Sequence, residues 1–381
     1  MKIRIIGAGP AGLYFGALMK RNNPDHDVVV YERGYRDATW GFGVVFSDRA
    51  LDFLRADDEE MYQLLIPHME SWPNLTIAVN DRKFPITGNG FTACGRLEML
   101  TLMYEHAEKL GVKIEFETEI TSLDQLGDAD LIVAANGANS WVREENQDKF
   151  GTSVDWRPNK FMWYGTSQVF DSLTLTFRET DKGVFCAHHY RYSPNMSTFL
   201  VEVEDETWNR VGFGEMSEED TIKYCEEVFA NDLGGHPILS NNSYWRNFPA
   251  IWNDRWHFDN VVLIGDALRT AHFSIGSGTR LGMEDAIALA KGLIEKDFDV
   301  QAGLQRFREL REPPMRKIFD AANVSLRWYE HMDELIKLDP VEFCYSYMTR
   351  TGRVDHSEVQ RRDPELAAAY EKLHPEVLAA S

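Results

Sequence analysis

The sequence is poor in cysteine, in positive charge and in long apolar runs. Four cysteines, Cys94, Cys186, Cys225 and Cys344, are scattered over 381 residues, and no two form a C-x-x-C pair. That spacing argues against a disulfide framework or a zinc site and reads as buried or idle thiols in a reducing cytoplasm. Lysine and arginine total 40 against 61 acidic residues, for a formal net charge of −21. Nucleic-acid and anionic-membrane binding both need a broad basic face, so neither partner is expected. A local group of arginines facing one anionic ligand stays open. No apolar stretch approaches the roughly 18 residues of a membrane-spanning helix. The N-terminal run "IRIIGAG" is too short for a signal peptide and leads directly into glycines. Repeats and low-complexity segments are also lacking.

What is present is a glycine-rich turn at each end of the chain. The first follows the apolar run Ile3 to Ile6 and reads Gly7-Ala8-Gly9-Pro10-Ala11-Gly12. A helical pattern continues through Leu13, Ala17 and Leu18, and a second apolar run, Val28 to Tyr31, ends in Glu32-Arg33. Strand, glycine turn, helix, strand and acidic residue form the complete dinucleotide fingerprint. Gly7 permits the tight turn, Gly9 lets the backbone approach a pyrophosphate, and Gly12 permits close helix–strand packing. The helix N-terminus offers free N–H groups to the phosphates, and Glu32, about 20 residues after Gly12, suits a ribose hydroxyl.

Glu32-Arg33 favours neither NAD nor FAD. The second turn decides between them. Val261 to Ile264 is apolar and strand-like, Gly265-Asp266 ends it, and "SIGSG", Ser274 to Gly278, precedes a helical pattern beginning near Thr279. A dinucleotide confined to one βα crevice has no use for this second apparatus. FAD does, because its ribityl chain and isoalloxazine extend past the pyrophosphate. Asp266 would take the ribityl hydroxyls, while the loop containing Ser274, Gly276, Gly278 and Thr279 would meet the pyrimidine end. There the positive end of the helix dipole favours the charge of a reduced flavin.

Three segments carry a family resemblance: "GAGPAG", "DADLIVAANGANSWVR" (128–143) and "GDALRTAHFSIGSGTRLGMEDA". Together they resemble the class A flavoprotein aromatic monooxygenases, the 4-hydroxybenzoate hydroxylase-like family. Asn136 stands where the family has the aspartate of its mid-chain DG segment, Arg269 where a histidine is usual, and Phe273-Ser274 where the late loop has proline. A narrower likeness, in "FGVVFSDRAL", "NKFMWYGTSQVFD" and "MSTFLVE", is to the branch of salicylyl-CoA 5-hydroxylase and 2-aminobenzoyl-CoA monooxygenase. The violacein-pathway hydroxylase of a tryptophan derivative shares it. The resemblance implies FAD as cofactor, NADH or NADPH as co-substrate, and O2 delivered to an electron-rich ring through a flavin C4a-hydroperoxide. It also implies that Arg96 reaches the FAD phosphates, that Asn136 lies near flavin and nicotinamide, and that Arg49 runs beside the flavin or substrate.

The expected fold is α/β: a Rossmann-like FAD-binding domain interleaved with a mostly antiparallel substrate-domain sheet and closed by C-terminal helices. FAD-binding parts are expected over 1–72, 94–158 and 256–320. A substrate-domain excursion is expected over 73–93, its main body over 159–255, and a helical cover and tail over 321–381. The alternating segments "FMWYGTSQVF", "LTLTFRE", "VFCAHHYRY" and "STFLVEV" supply the second sheet. "SEEDTIKYCEEVFAND" reads as a helix capped by Ser217.

His272, in the late glycine loop, is the leading candidate to hydrogen-bond substrate or peroxide or to take a phenol proton. His188 and His189 point to opposite faces of a strand, so they cannot share a metal; one is expected toward the pocket and the other toward solvent. No metal site is expected. Tyr164, Gln168, Tyr190 and Trp40 are candidates for an aromatic pocket or for plain core packing. The reading is an FAD- and NAD(P)H-dependent hydroxylase of a small aromatic, foremost an aryl-CoA thioester, otherwise an indole or tryptophan derivative. A flavin reductase or non-catalytic flavoprotein is the rival from another class, while the absence of W-x-W-x-I weakens a halogenase-like relative. Monomer and homodimer are both compatible with the sequence.

Overall fold

A computed structural model describes residues 1–39, 41–47, 51–276 and 278–379. Its first layer is a six-stranded sheet ordered His257–Phe258, Val261–Leu263, Leu131–Ala134, Lys2–Ile6, Asp27–Tyr31 and Lys113–Glu115. All neighbours are parallel except the first pair. The central strands are almost wholly buried, as a parallel sheet covered on both faces requires. Helix Pro10–Asn22 buries Ala11 through Ala17 and Met19, and packs beside Gly278–Glu295 and Arg96–Lys109.

The second layer is a larger, mostly antiparallel sheet. Its order is Ile238–Leu239, Thr152–Thr166, Met196–Val203, Gly183–Ser193, Leu173–Thr180, Leu75–Val79 and Arg82–Ile86, with Arg246–Asn253 also paired to Thr152–Thr166. Register places Trp163, Leu200, His188 and Leu175 in one row across four strands. Tyr164, Phe199, His189 and Thr174 form the adjacent row, which period-2 alternation turns to the opposite face. The strands of a three-stranded sheet, Gly43–Ser47, Phe91–Gly95 and Glu70–Trp72, are interspersed along the chain with those of the two layers.

Two expected domain junctions do not fall between elements. Strand Thr152–Thr166 runs through 158/159, because its first half already pairs with Arg246–Asn253. Helix Val300–Tyr329 runs through 320/321 despite Pro313 and Pro314 inside it. A proline pair normally ends a helix. Here the buried stripe Arg311, Met315, Phe319, Ala322, Leu326 and Tyr329 continues at 3- and 4-residue intervals across the prolines, so packing outweighs the lost hydrogen bonds. All four cysteines are free and buried. Among the described residues no helix is long and apolar enough to cross a membrane.

The two long helices, Gly278–Glu295 and Val300–Tyr329, meet at Gly292 and Gly303. A Cβ on Gly292 would lie 2.6 Å from Gly303 O and 2.8 Å from Phe307 N. Alanine is intrinsically the better helix residue by about 1 kcal/mol, but backbone atoms cannot yield, and overpacking costs about 1–3 kcal/mol. Gly292→Ala should therefore lower the thermal midpoint rather than raise it, which differential scanning calorimetry would read directly.

Candidate functional site

The two glycine turns touch. Gly7 has φ +102°, and a Cβ there would meet Ala135 O at 2.6 Å and Asn136 Cα at 2.9 Å. A Cβ on Gly12 would lie 2.3 Å from Gly7 O. From the other end of the chain, Gly265 (φ +62°) and Gly282 each bring their Cβ position to 3.2 Å from Ala11 Cβ. The first turn, the mid-chain segment at Asn136 and the late Gly-Asp turn thus converge on the start of one helix. Gly9 behaves differently: its backbone is extended (φ −74°, ψ 173°) and its Cβ position has no neighbour within 4 Å. A Cβ on Gly278, the first residue of its helix, would likewise meet nothing within 4 Å. Pro10 opens the first helix with its fixed φ, and Thr279 follows Gly278 in the first turn of the late one.

Two charges line this cleft without partners. The Arg96 guanidinium makes no hydrogen bond or ion pair among the described residues, although the Arg96 backbone N–H is bound by Phe42 O at 2.8 Å. Burial pulls its pKa down while Asp266, Tyr104 and Tyr190 work against that fall. Asp266 is reachable by solvent yet surrounded by protein, as a residue in the wall of a concave cleft would be. Desolvation pushes its carboxyl up, opposed by Arg269 and Arg96. Arg96 is half-buried and Asp266 faces the solvent side of the cleft, and neither charge is spent on a partner among the described residues, so the pair fits a ligand that brings both phosphate and hydroxyl groups. Glu32 is already engaged: its Oε2 accepts from Ala8 N at 2.9 Å and its Oε1 from Gly34 N at 2.8 Å. It therefore braces the first turn, with lone pairs left over for a ribose. Arg33 is exposed, and the buried Asn136 Oδ1 has no partner among the described residues.

Arg269, the residue in place of the usual histidine, is structural. It donates to Gly265 O (2.8 Å) and pairs with Asp285 Oδ2 (2.6 Å), whose Oδ1 also takes Arg311 Nε at 2.8 Å. Asp285 in turn accepts from Gly265 N at 2.9 Å. The late turn is thereby fastened to both long helices. Sequence reasoning missed Asp285 and Arg311; the only hint was an acid inside the apolar helix stripe.

Beside the late loop lies a cavity walled by Trp163, His188 and Tyr190 of the large sheet, Ser274 and Gly276 of the loop, and Tyr347 of a C-terminal helix. Phe273 packs its ring against Phe161, Trp163 and His188, with centroids 4.9, 6.1 and 5.3 Å away. His188 Nε2 lies 3.1 Å from Glu202 Oε2, and Asn159 donates to Glu202 Oε1 at 3.0 Å. Burial works against the Glu202 carboxylate, but the His188 bond, the nearby His272 and Asn159 together hold its pKa below the usual range. His272 Nε2 stands 4.0 Å from Glu202 Oε1, and its Nδ1 meets Ser274 Oγ at 2.9 Å. Burial drives the His272 pKa down to about 4, so the ring is neutral at pH 7.

Several expectations change here. His189 is not toward solvent: it is buried on the far face, against Phe170 and Phe199, with Nε2 2.9 Å from Thr176 Oγ1. The far face is covered by its own apolar cluster, so both histidines are interior. Tyr164 shares that far face, and its neighbour Trp163 takes the cavity wall instead. Gln168 lies past the end of its strand at Thr166. Tyr190 lines the cavity and donates its hydroxyl to Gly43 O at 3.1 Å. Arg49 and Trp40 lie outside the described residues. Glu202 and Asn159 were not singled out from the sequence, although Glu202 alternates in step with Thr198 and Leu200. No group of three or more metal-ligating side chains occurs among the described residues.

A Rossmann-type sheet, three converging turns and an aromatic cavity beside the last of them define a flavin-dependent oxidoreductase. The profile of the FAD binding domain family matches residues 1–129 and 127–322, and the chain belongs to that family. Salicyloyl-CoA 5-hydroxylase from Streptomyces sp is 40% identical over 92% of this chain and 70% of its own length. Protodeoxyviolaceinate monooxygenase from Chromobacterium violaceum is 36% identical, over 92% and 94%. A 3-hydroxy-4-methyl-anthranilyl-[aryl-carrier protein] 5-monooxygenase from Streptosporangium sibiricum is 32% identical, over 88% and 91%. The solved structure of 2-methyl-3-hydroxypyridine-5-carboxylic acid oxygenase shares the fold, with TM-score 0.70 at 16% identity over 96% of both chains. This protein is an FAD-dependent aromatic monooxygenase, with NAD(P)H as co-substrate and O2 as oxidant.

Gly9 offers a clean test of the cleft. Alanine fits its backbone and meets nothing in the protein, so Gly9→Ala should leave the apoprotein's thermal midpoint unchanged. Its FAD dissociation constant should rise by about tenfold or more, equivalent to about 1.4 kcal/mol. Wild-type affinity in that variant would mean that no phosphate approaches this backbone.

Proposed function

We propose that this enzyme hydroxylates a phenolic aromatic ring presented as an aryl-CoA thioester, and that His188 accepts the proton of the ring hydroxyl. The observation that carries the reading is the bond between His188 Nε2 and the buried Glu202. With the carboxylate ionised, Nε2 carries the hydrogen, and Nδ1 is left as the acceptor on a ring that walls the cavity. A proton taken there makes an imidazolium that Glu202 stabilises, and the ring that loses it becomes more electron-rich. His272, foremost in the sequence, is the less suitable base, because Ser274 occupies its Nδ1 and its Nε2 faces Glu202.

FAD, when bound, supplies the redox and oxygen chemistry. Gly7, Gly9, Gly12 and Arg96 would hold its phosphates, Glu32 its ribose, Asp266 its ribityl hydroxyls, and the loop from Ser274 to Thr279 its pyrimidine end. Trp163, Tyr190 and Phe273 orient the substrate ring and keep water out. The thioester is favoured by the salicyloyl-CoA relative and by the relative whose substrate rides on a carrier protein. An indole-derived substrate is the second reading, because the protodeoxyviolaceinate enzyme is matched over nearly its whole length.

A panel of aryl-CoA thioesters, the matching free acids and indoles should show aryl-CoA-stimulated NAD(P)H consumption with a product one oxygen heavier. Stimulation by indoles alone would move the assignment to the second reading. With a phenolic substrate, His188→Gln should lower hydroxylation by about 10²–10⁴-fold. Glu202→Gln should lower it less, leaving a base without its stabilising charge. Both deficits should shrink as pH rises toward the phenol's own pKa, because the substrate then arrives ionised. A deficit independent of pH would remove His188 from the role of base.

A further inference from the structure

The late glycine loop is held from outside by one residue of the C-terminal helices. Helix Pro340–Thr349 ends at Arg350, whose Nε donates to Ser325 Oγ at 2.9 Å and Nη1 to Tyr347 O at 2.7 Å. Its Nη2 donates to Ser274 O at 3.3 Å, and the guanidinium lies 3.8 Å over the Tyr347 ring. Ser325 is fully buried and also meets Ser274 Oγ at 2.9 Å, which in turn meets His272 Nδ1. A continuous polar chain thus runs from the C-terminal cover into the loop beside the cavity.

Every acceptor of Arg350 is neutral. Among the described residues no carboxylate pairs with it, although the chain carries 61 acids against 40 bases. The acid nearest the loop's histidine, Glu202, is engaged with His188 and Asn159 beyond His272. A half-buried guanidinium bound only to neutral oxygens keeps its full field, and low surrounding dielectric lets that field act over the loop. Arg96, which has no side-chain partner among the described residues, lies beside the cleft, whereas Arg350 is bonded to the loop from the helical cover.

We propose that Arg350 is a positioning residue that fixes the glycine loop and favours negative charge on whatever that loop binds, namely the reduced flavin. The proposal rests on FAD as cofactor and not on the identity of the aromatic substrate. Hydride transfer from NAD(P)H releases NAD(P)⁺ and adds one negative charge to the isoalloxazine, so a cation at the loop lowers the free energy of the reduced state. It also explains why the C-terminal helices are tied to this loop through an arginine rather than through apolar packing alone.

The test uses the FAD-loaded enzyme and needs no aromatic substrate. Arg350→Gln should bind oxidised FAD within about twofold of wild type and reduced FAD at least about fivefold more weakly, seen as a more negative midpoint potential. Anaerobic reduction by NAD(P)H should slow by a similar factor. Arg350→Lys keeps the charge and should recover most of both. Equal potentials in wild type and Arg350→Gln, or equal shifts in the Gln and Lys variants, would overturn the proposal. Should Arg350→Gln not fold, Ser325→Ala keeps the charge but removes its anchor; the potential must still fall, by less, and an unchanged potential defeats the idea. Failure of the aryl-CoA panel leaves these readouts untouched.

Discussion

Ala11, Gly265 and Gly282 touch one another, and the rest of the site depends on that contact. With a Cβ at either glycine already 3.2 Å from Ala11, any larger side chain at the three positions would push the late turn off the first helix. The approach lets residues separated by most of the chain share one cleft. The glycines divide accordingly: a Cβ at Gly7 or Gly12 would strike backbone, whereas one at Gly9 or Gly278 would stand in open space.

Buried charge divides the same region into structural and ligand-directed parts. Asp285 lies between Arg269 and Arg311, with every oxygen engaged, and that trio locks the turn to its helices. Removing one partner of such a cluster leaves an uncompensated charge and costs several kcal/mol, which suits a fastening. Arg96 and Asp266 sit in the same wall with no such compensation. Half-buried and solvent-facing respectively, they are spent on no protein partner among the described residues, which is why the proposed reading gives them to the cofactor.

Much of this was legible in the chain. The strand–turn–helix units at Gly7 to Gly12 and Gly265 to Thr279, the antiparallel sheet, and the Arg96 helix start all lie in local patterns, and local patterns survive folding. What was not legible depends on register and on distant partners. Period-2 alternation says that His188 and His189 face apart but not which face holds the cavity, and both faces proved to be buried. The same ambiguity hid Trp163 behind Tyr164. Glu202 looked like one more strand acid, because its significance comes from His188 one strand away and from His272, which lies 70 residues on. The junction expected at 320/321 falls inside a helix whose buried stripe carries on past Pro313 and Pro314.

The proposed function puts the proton chemistry on the large sheet and the cofactor in the small-residue cleft, a division with a physical advantage. His188 and Glu202 stand on adjacent strands, each paired on both sides, so their bond does not depend on the glycine loop. The loop, by contrast, is held by the side chains of His272, Phe273 and Ser274 and, from the helical cover, through Ser325. One wall of the cavity is therefore stiff by backbone pairing, and the other by a chain of hydrogen bonds that a bound ligand can strain without unfolding anything. Two walls of unequal stiffness suit an enzyme that must hold a ring carbon in line while its cofactor changes charge during each cycle.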